Sequence, residues 1–272
     1  MKWRNSFAVV AGCTAVSLTV VDAQAQSTFA GFYGQASTGY ESNQLGSQSD
    51  TATVTPFAKS NTNNTGPSQT FGGAPLVLGI GYYWQATDKW LIGLGADYSA
   101  LTQTSPSIPV TVANAAGSTS IASGDSLTFN GGNMQLSNRF NLFITPGYAI
   151  DKDKLVYVKT GYSQVTAQYN RATSATRTTN GVSNTYPATG GNQSSNQGGY
   201  LLGLGYKQVI SNSLYGFVEG NYMGYSSPSY TFTSTNATDT SRGVTTTSTR
   251  TVTASFASLN TYQMLIGLGY AF

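Results

Sequence analysis

The chain has 272 residues, with 13 Lys and Arg against 10 Asp and Glu, and it contains no histidine. Only 8% of the residues are charged, whereas an ordinary soluble domain carries about 25%. Beyond the N-terminus no apolar run reaches the roughly 20 residues that a transmembrane helix needs. The lack of histidine excludes most familiar acid–base, triad and metal chemistry. We therefore expect no catalytic residue, no metal site and no cofactor.

The first 25 residues predict a cleaved secretion signal. Lys2 and Arg4 precede an apolar run at residues 7–21, and Ala23-Gln24-Ala25 matches a small-residue cleavage site. A transmembrane anchor is one alternative, but the apolar run has only 15 residues and a polar segment follows it. A lipoprotein signal is the other, because Val10-Ala11-Gly12-Cys13 resembles a lipobox. On the first interpretation, residues 26–272 form one mature domain without cysteine. Disulfides and thiol chemistry are then excluded.

Large apolar residues next alternate with small or polar ones, the period of two that is typical of strands with two different faces. The last segment shows this best, because Leu268, Tyr270 and Phe272 share one face while Gly267, Gly269 and Ala271 share the other. A soluble barrel would turn its large apolar residues inward, so this pattern indicates a barrel with lipid outside. The predicted strands are 29–41, 76–85, 90–99, 139–148, 156–163, 200–207, 213–226 and 261–272.

The connections between these segments alternate strictly in length. Short ones at 86–89, 151–153 and 211–212 contrast with long ones at 42–74, 102–137, 169–198 and 227–257. Short periplasmic turns and long external loops are typical of bacterial outer-membrane barrels. The predicted fold is therefore all-β, an eight-stranded antiparallel up-and-down transmembrane β-barrel with four long external loops and three short periplasmic turns. This places it as an integral protein in the outer membrane of a Gram-negative-type bacterium. Parts of the last loop, near 230–234 and 245–254, are predicted to extend a hairpin beyond the membrane.

Short motifs carry a resemblance to a known family. Phe32-Tyr33-Gly34, the repeated Leu/Ile-Gly-Leu/Ile-Gly strands and Gly269-Tyr270-Ala271-Phe272 resemble the eight-stranded family of outer membrane protein A transmembrane domains and opacity-type surface antigens. The resemblance covers residues 28–41 and 75–272 without the loops. It implies that Phe272, with Tyr270 and Leu268 on its face, is the C-terminal signal read by the barrel-assembly machinery.

Six charged residues fall on the predicted inward face. An eight-stranded barrel is just wide enough for its own side chains, so we predict a structural network of buried ion pairs. Asp97 is expected to pair with Arg139, and Glu219 with Lys207 or Lys159. Gating of a narrow conduit is the alternative. Trp84 and Trp90 flank the first short turn on the other face and are assigned to the periplasmic aromatic girdle. The six interior charges are Glu41, Asp97, Arg139, Lys159, Lys207 and Glu219.

The predicted function is that of a surface protein with a structural or adhesive role through its long loops. The alternative is a small porin-like channel for ions or small solutes, which requires a continuous water path. An enzyme is disfavoured, because related barrel enzymes rely on histidine. The expected partners are outer-membrane lipids, the assembly machinery and a host or cell-surface ligand of the loops. A small loop charge disfavours nucleic acid, and a monomer is expected.

Overall fold

The structure is a computed structural model that describes residues 27–55, 59–113, 126–179, 181–188, 191–239 and 246–272. The predicted secretion signal, residues 1–25, lies outside the described residues and stays a prediction. Nothing helical in these ranges combines the length and the hydropathy needed to span a bilayer. The strands that the described residues form are β1 (Gly31–Leu45), β2 (Gln48–Thr55), β3 (Lys59–Gly66), β4 (Gln69–Gly73), β5 (Leu76–Gln85), β6 (Trp90–Ser99), β7 (Gln103–Thr104), β8 (Val110–Ala113), β9 (Ser126–Asn130), β10 (Asn133–Asp151), β11 (Lys154–Asn170), β12 (Ser174–Thr179), β13 (Val182–Pro187), β14 (Asn192–Ser211), β15 (Leu214–Tyr225), β16 (Ser229–Asp239), β17 (Thr246–Phe256) and β18 (Leu259–Ala271).

Eight of the described strands close into an antiparallel barrel in the order β1, β5, β6, β10, β11, β14, β15, β18. The first and last strands pair with each other, so that Tyr33 lies opposite Ala271 on one side and opposite Gly81 on the other. The pairing of β10 with β11 completes the circle. Because each of these strands has two neighbours, the membrane-embedded part presents no open edge to lipid. This architecture confirms the predicted fold.

Short turns join the strands at the periplasmic end, as predicted. The N–H of Ala86 donates to the Trp90 carbonyl at 2.8 Å and closes the first turn. Asn212 adopts a φ of 46° in the third turn, a left-handed conformation that asparagine tolerates. In the second turn the Asp151 carboxylate accepts a hydrogen bond from Lys154 Nζ at 2.9 Å. Together with the Asp153 N–H, this bond lowers the pKa of the Asp151 carboxyl.

A second sheet stands at the extracellular end, and we call it the extracellular sheet. Its described strands run in the order β13, β12, β9, β8, β3, β2, β17, β16, so each long loop contributes one hairpin. The described parts of the four long loops are thus largely strand-paired, and barrel strands β10, β11 and β14 continue beyond their predicted ends. The predicted hairpin extension in the last loop is present as β16 and β17. Alternating threonines support this pairing, because threonine fits a pleated, half-buried surface.

Two apolar clusters fill the lumen of the barrel, one at each end. We call them the periplasmic plug and the extracellular plug. The extracellular plug joins barrel residues such as Leu45 and Leu259 to residues of the extracellular sheet such as Tyr230 and Phe256. The periplasmic plug consists of Phe29, Tyr33, Tyr83, Leu91, Ala149, Leu155, Tyr157, Tyr215, Phe217 and Ala271. The buried ion pairs of the lumen lie between the two.

Candidate functional site

The six predicted interior charges all lie in the lumen, and each is buried. Their exposed fractions are 1% for Glu41, 4% for Asp97, 3% for Arg139, 1% for Lys159, 2% for Lys207 and 4% for Glu219. Alternation along each strand explains their placement, since every second side chain points away from lipid. Charges removed from water in this way are stable only when they are paired or hydrogen-bonded.

Lys159 is the centre of one charge cluster. Its Nζ lies 2.8 Å from Asp97 Oδ2 and 2.8 Å from Glu219 Oε1, and 4.1 Å from the centroid of the Phe143 ring. The Tyr157 hydroxyl donates to Glu219 Oε2 at 2.7 Å. One lysine therefore bridges two carboxylates. Glu219 was predicted to pair with Lys207 or Lys159, and it pairs with Lys159.

Arg139 forms the second charge cluster, on the extracellular side of the first. Its Nη1 lies 2.5 Å from Glu41 Oε2, and its Nε donates to the Tyr225 hydroxyl at 2.9 Å. The Gln263 side chain also donates to Glu41 Oε2, at 2.7 Å. The predicted pair of Asp97 with Arg139 is therefore wrong. Strand register explains this, because Arg139 lies opposite Ser99, and its long side chain crosses the lumen to β1.

Lys207 has a different environment from the other interior charges. Among the described residues no carboxylate lies within ion-pair distance of its ammonium. Nζ donates to Gln35 Oε1 at 3.2 Å. Aromatic rings surround the rest of the ammonium, which is the arrangement of a cation–π cage. The ring centroids lie 4.2 Å away for Tyr33, 4.8 Å for Tyr215, 5.0 Å for Tyr83, 5.3 Å for Tyr157 and 5.9 Å for Phe217.

Inward-facing glycines make room for this cage. A Cβ on Gly205 would lie 2.2 Å from Cζ of Tyr157, and a Cβ on Gly269 would lie 2.2 Å from Cζ of Tyr215. A larger side chain at either position would therefore require the facing tyrosine ring to shift. Ring packing thus explains these positions of the repeated Leu/Ile-Gly motif, whereas Gly79 and Gly203 face Gln35 and Asn221.

Among the described residues, buried apolar side chains occupy the lumen at both of its ends. Leu91 and Leu155 at the periplasmic end and Leu45 and Leu259 at the extracellular end are at most 2% exposed. The carboxylates between the plugs are engaged by lysine, arginine, tyrosine and amide groups. In the part of the chain that the structure describes, no group of acidic, histidine or cysteine side chains could hold a metal ion. Between the two plugs, the interior is a packed polar core.

The outer wall of the barrel carries the opposite kind of surface. Large apolar side chains project from every barrel strand, among them Ile80 at 69% exposure and Met264 at 68%. Aromatic side chains ring both borders of this surface, and the upper border includes Tyr40, Tyr162 and Tyr262. Such an apolar band between two aromatic girdles is the surface that a bilayer covers. The described chain is an eight-stranded transmembrane β-barrel of the outer-membrane type. It is an integral protein of the outer membrane of a Gram-negative-type bacterium.

The predicted girdle and C-terminal residues lie on this lipid-facing wall. Trp84 packs against Tyr82 with a centroid distance of 4.7 Å, and Trp90 against Tyr148 at 5.2 Å. Both tryptophans are exposed at the periplasmic border. Phe272 and Tyr270 are in edge contact at 5.1 Å, and Leu268 is exposed beside them.

Comparisons with known proteins were made by sequence and by structure. No family model and no curated protein sequence matches the chain. The outer membrane protease OmpT of Escherichia coli is similar over 91% of this chain and 98% of its own, with 11% identity and a TM-score of 0.42. The outer membrane protein OprG of Pseudomonas aeruginosa is similar over 92% of this chain and 99% of its own, with 12% identity and a TM-score of 0.42. The attachment invasion locus protein Ail of Yersinia pestis is similar over 86% of this chain and 99% of its own, with 11% identity and a TM-score of 0.30. The barrel assignment follows from the strand pairing of this chain itself.

The outward face of the extracellular sheet is a feature that the sequence reasoning missed. One hydroxyl side chain from each described strand of this sheet lines up, partner opposite partner, in a single row. The row is Thr185, Thr176, Thr128, Thr111, Thr65, Ser49, Ser255 and Ser229. Neighbouring hydroxyls are hydrogen-bonded at 3.0 Å between Thr176 and Thr185 and at 3.1 Å between Ser229 and Ser255. A second row begins with Thr231, Thr253 and Thr51.

The inward face of the same sheet is apolar where it meets the extracellular plug. Tyr230, Val252, Ala254 and Phe256 alternate with the hydroxyl residues and are buried. The alternation was readable in residues 229–256, but the pairing of this hairpin with hairpins of other loops was not. Along the row just described, the sheet therefore turns hydroxyl groups to the outside, and it rests on the barrel through its apolar surface.

Proposed function

We propose that this protein is a surface-exposed interaction protein, in which the barrel is the anchor and the extracellular sheet contacts a partner outside the cell. The observation that carries the proposal is the filled lumen. Two apolar plugs enclose two ion-pair clusters, so the interior contributes stability instead of transport. The part left for function is the extracellular sheet, which gathers a hairpin from each of the four long loops.

The packing of the lumen disfavours the channel alternative. A conducting path would have to pass Tyr83, Leu155 and Tyr215 at one end and Leu136, Met134 and Leu259 at the other, all at most 2% exposed. An eight-stranded barrel is generally filled by its own side chains. We assign no catalytic role, because the chain has no histidine and the interior carboxylates already have cationic partners.

Planar bilayer recording separates the two candidate functions. The purified full chain is expected to give no conductance steps above the bare membrane across a range of voltages. Stable steps of reproducible size would instead support the porin-like channel. The Lys207→Met variant should behave like the original chain in this assay, because it alters the interior while the plug side chains stay in place.

The surface character of the extracellular sheet indicates how it recognises a partner. The outward row contains hydroxyl groups, each of which can donate one hydrogen bond and accept two. It contains no charged side chain. Recognition through such a surface depends on hydrogen bonding. Binding to the partner should therefore change little between about 0.1 M and 1 M salt, whereas attachment through charges would be weakened by screening.

Attachment of intact bacteria tests the interaction role. Bacteria that express the full chain are compared with bacteria in which β12 and β13, residues 174–187, are replaced by a short Gly-Ser turn. Because β13 is the edge strand and β12 joins it to β9, the replacement makes β9 the new edge, and the remaining strands of the sheet keep their pairings with one another. We expect attachment to an epithelial cell layer to fall to the level of bacteria lacking the protein. Equal attachment by both would contradict an interaction role of this hairpin.

The Lys207→Met variant is the matched control for attachment. It leaves every extracellular residue unchanged, and it should attach as well as the original chain. Equal surface amounts of the three proteins are verified by antibody labelling of intact cells. Loss of attachment in the control would show that the effect comes from barrel integrity and not from the hairpin.

A further inference from the structure

Strand β15 differs from its neighbours on the lipid-facing side of the barrel. Its outward positions include Gly216 and Gly220, whereas bulky side chains such as Ile266 and Leu268 project from the adjacent strand β18. Gly216 lies directly opposite Leu268 on one side and Gln208 on the other. The missing side chains leave a depression in the apolar wall.

This depression is a groove of about 600 Å³. Pockets of about 300–1,000 Å³ are the usual size for a small ligand. The groove floor is the backbone of β15, and its walls come from β14 and β18. Its lining includes Tyr206, Gln208 and Ile210 from β14, Gly216 from β15, and Ile266 and Leu268 from β18.

The position of the groove determines what can fill it. The groove belongs to the apolar band that faces the bilayer, because Ile210 and Leu268 are exposed on that wall at 62% and 55%. Water has no hydrogen-bonding partners in an apolar cavity of this kind. The molecules that already contact this wall are lipids, whose acyl chains are flexible and apolar. The groove is therefore continuous with an interface that acyl chains cover.

The groove lies in the periplasmic half of the barrel, and its periplasmic end is polar. Leu214, where β15 begins after the third turn, lies two positions from Gly216. The Tyr206 hydroxyl donates to Gln208 Oε1 at 2.8 Å. Lys154, which lies opposite Gln208 on the next strand, adds a half-exposed ammonium that is paired with Asp151. An amide and an ammonium at this level suit the phosphate of a phospholipid headgroup.

We propose that this groove binds one phospholipid of the periplasmic leaflet. One acyl chain lies over Gly216 between Ile210 and Leu268, and the headgroup phosphate lies next to Gln208 and Lys154. The lipid fills the gap that the glycines leave in the wall. The site is separate from the extracellular sheet, so it does not depend on the proposed interaction function.

Native mass spectrometry of the full chain tests the proposal. The protein is extracted in detergent, refolded and mixed with palmitoyl-oleoyl phosphatidylethanolamine at a fixed ratio. The original chain is expected to retain one phospholipid, and Gly216→Leu is expected to retain at least fivefold less. A Cβ at Gly216 would meet the flexible end of Ile210 at 3.3 Å, so the added side chain fits by displacing the acyl chain. Val218→Phe narrows the same groove without changing a glycine and should give the same loss.

Ala96→Leu is the matched control. Ala96 also points to lipid, between Ile80 and Leu142 on the far wall, and the substitution adds similar bulk there. This variant should retain the phospholipid as the original chain does, and heat-modifiable gel mobility verifies that all variants fold. Equal retention by Gly216→Leu and the original chain would overturn the proposal. A dimer that Gly216→Leu abolishes would also overturn it, because a second copy would then be the occupant of the groove.

Discussion

Arg139 and Glu41 hold the extracellular charge cluster together across the lumen. Replacing Arg139 by Met leaves the Glu41 carboxylate buried without its cation, which is expected to lower the free energy of unfolding by about 3–5 kcal/mol. Adding Glu41→Gln removes the unpaired carboxylate charge. The double variant should therefore lose clearly less free energy of unfolding than the two single variants lose in sum. Urea unfolding in lipid vesicles, followed by gel mobility, measures all four proteins of this cycle.

The control cycle pairs Arg139→Met with Asp97→Asn. Asp97 contacts Lys159 and Asn141. The effects of these two substitutions on the free energy of unfolding should therefore be additive to within about 0.5 kcal/mol. Coupling between Asp97 and Arg139, with none between Glu41 and Arg139, would contradict the pairing in the structure. It would instead support the pairing that the sequence suggests.

The two buried lysines should respond differently to the same substitution. Lys159→Met deprives both Asp97 and Glu219 of their cation and is expected to cost about 3–5 kcal/mol. Lys207→Met leaves no carboxylate unpaired and removes a buried charge held by rings, so its unfolding free energy should stay level or rise. Comparing the unfolding free energies of the two variants in the same vesicles tests whether the aromatic cage or a carboxylate partner stabilises the Lys207 ammonium. A larger loss of unfolding free energy for Lys207→Met than for Lys159→Met would favour a carboxylate partner for Lys207.

At the scale of single strands, β18 both closes the barrel and carries its terminal aromatic. The Phe272 N–H donates to the Phe32 carbonyl at 2.8 Å, while its ring is 80% exposed to lipid. Deleting Phe272 therefore removes little buried contact, and the stability of the finished barrel should change modestly. We expect a much larger loss of correctly assembled protein, because the resemblance to the outer membrane protein A family marks this residue as an assembly signal.

Fractionation of cells that express the truncated chain measures this effect. The expected outcome is periplasmic accumulation and less heat-modifiable barrel in the outer membrane. Phe32→Leu is a suitable comparison, since it changes an exposed apolar residue at the same border without touching the terminus. Undiminished outer-membrane levels of the truncated chain would show that Phe272 is not the signal.

The strands of the barrel could be predicted because lipid and lumen impose opposite demands on alternate residues. In β18, for example, Leu268 and Tyr270 face lipid while Gly267 and Gly269 meet Phe217 and Tyr215 inside. Pairing across the lumen could not be predicted in the same way. Arg139 reaches Glu41 because of strand stagger and side-chain length, and neither leaves a periodic pattern in the sequence.

The extracellular sheet was predicted only in part, for a related reason. Its outward residues are serine and threonine, which suit loops as well as strands. Only the alternation of Tyr230 and Phe232 with Thr231 and Thr233, facing Val252 and Ala254 in β17, indicated a hairpin. The pairing between hairpins of different loops depends on their arrangement around the barrel mouth and has no local signal.

The orientation of the whole molecule can be measured with single cysteines. In a chain with no other cysteine after the predicted signal, Thr185→Cys lies on the extracellular sheet and Lys152→Cys in a periplasmic turn, both exposed. A membrane-impermeant maleimide added to intact cells should label the first and spare the second. Labelling of both is expected only after the outer membrane is breached. Labelling of Lys152→Cys in intact cells would reverse the orientation.

Several barrel strands run on beyond the membrane without interruption. All 17 residues of β11 pair with β14, and these two strands continue from the periplasmic turns to the extracellular side. A pull on the cell exterior is therefore transmitted along the strand axes, perpendicular to the hydrogen bonds between antiparallel strands. Bonds loaded in this shear geometry share the force and yield together, whereas peeling would break them one at a time. Under the proposed interaction function, the barrel strands therefore act as a mechanical tether between the bilayer and the extracellular sheet.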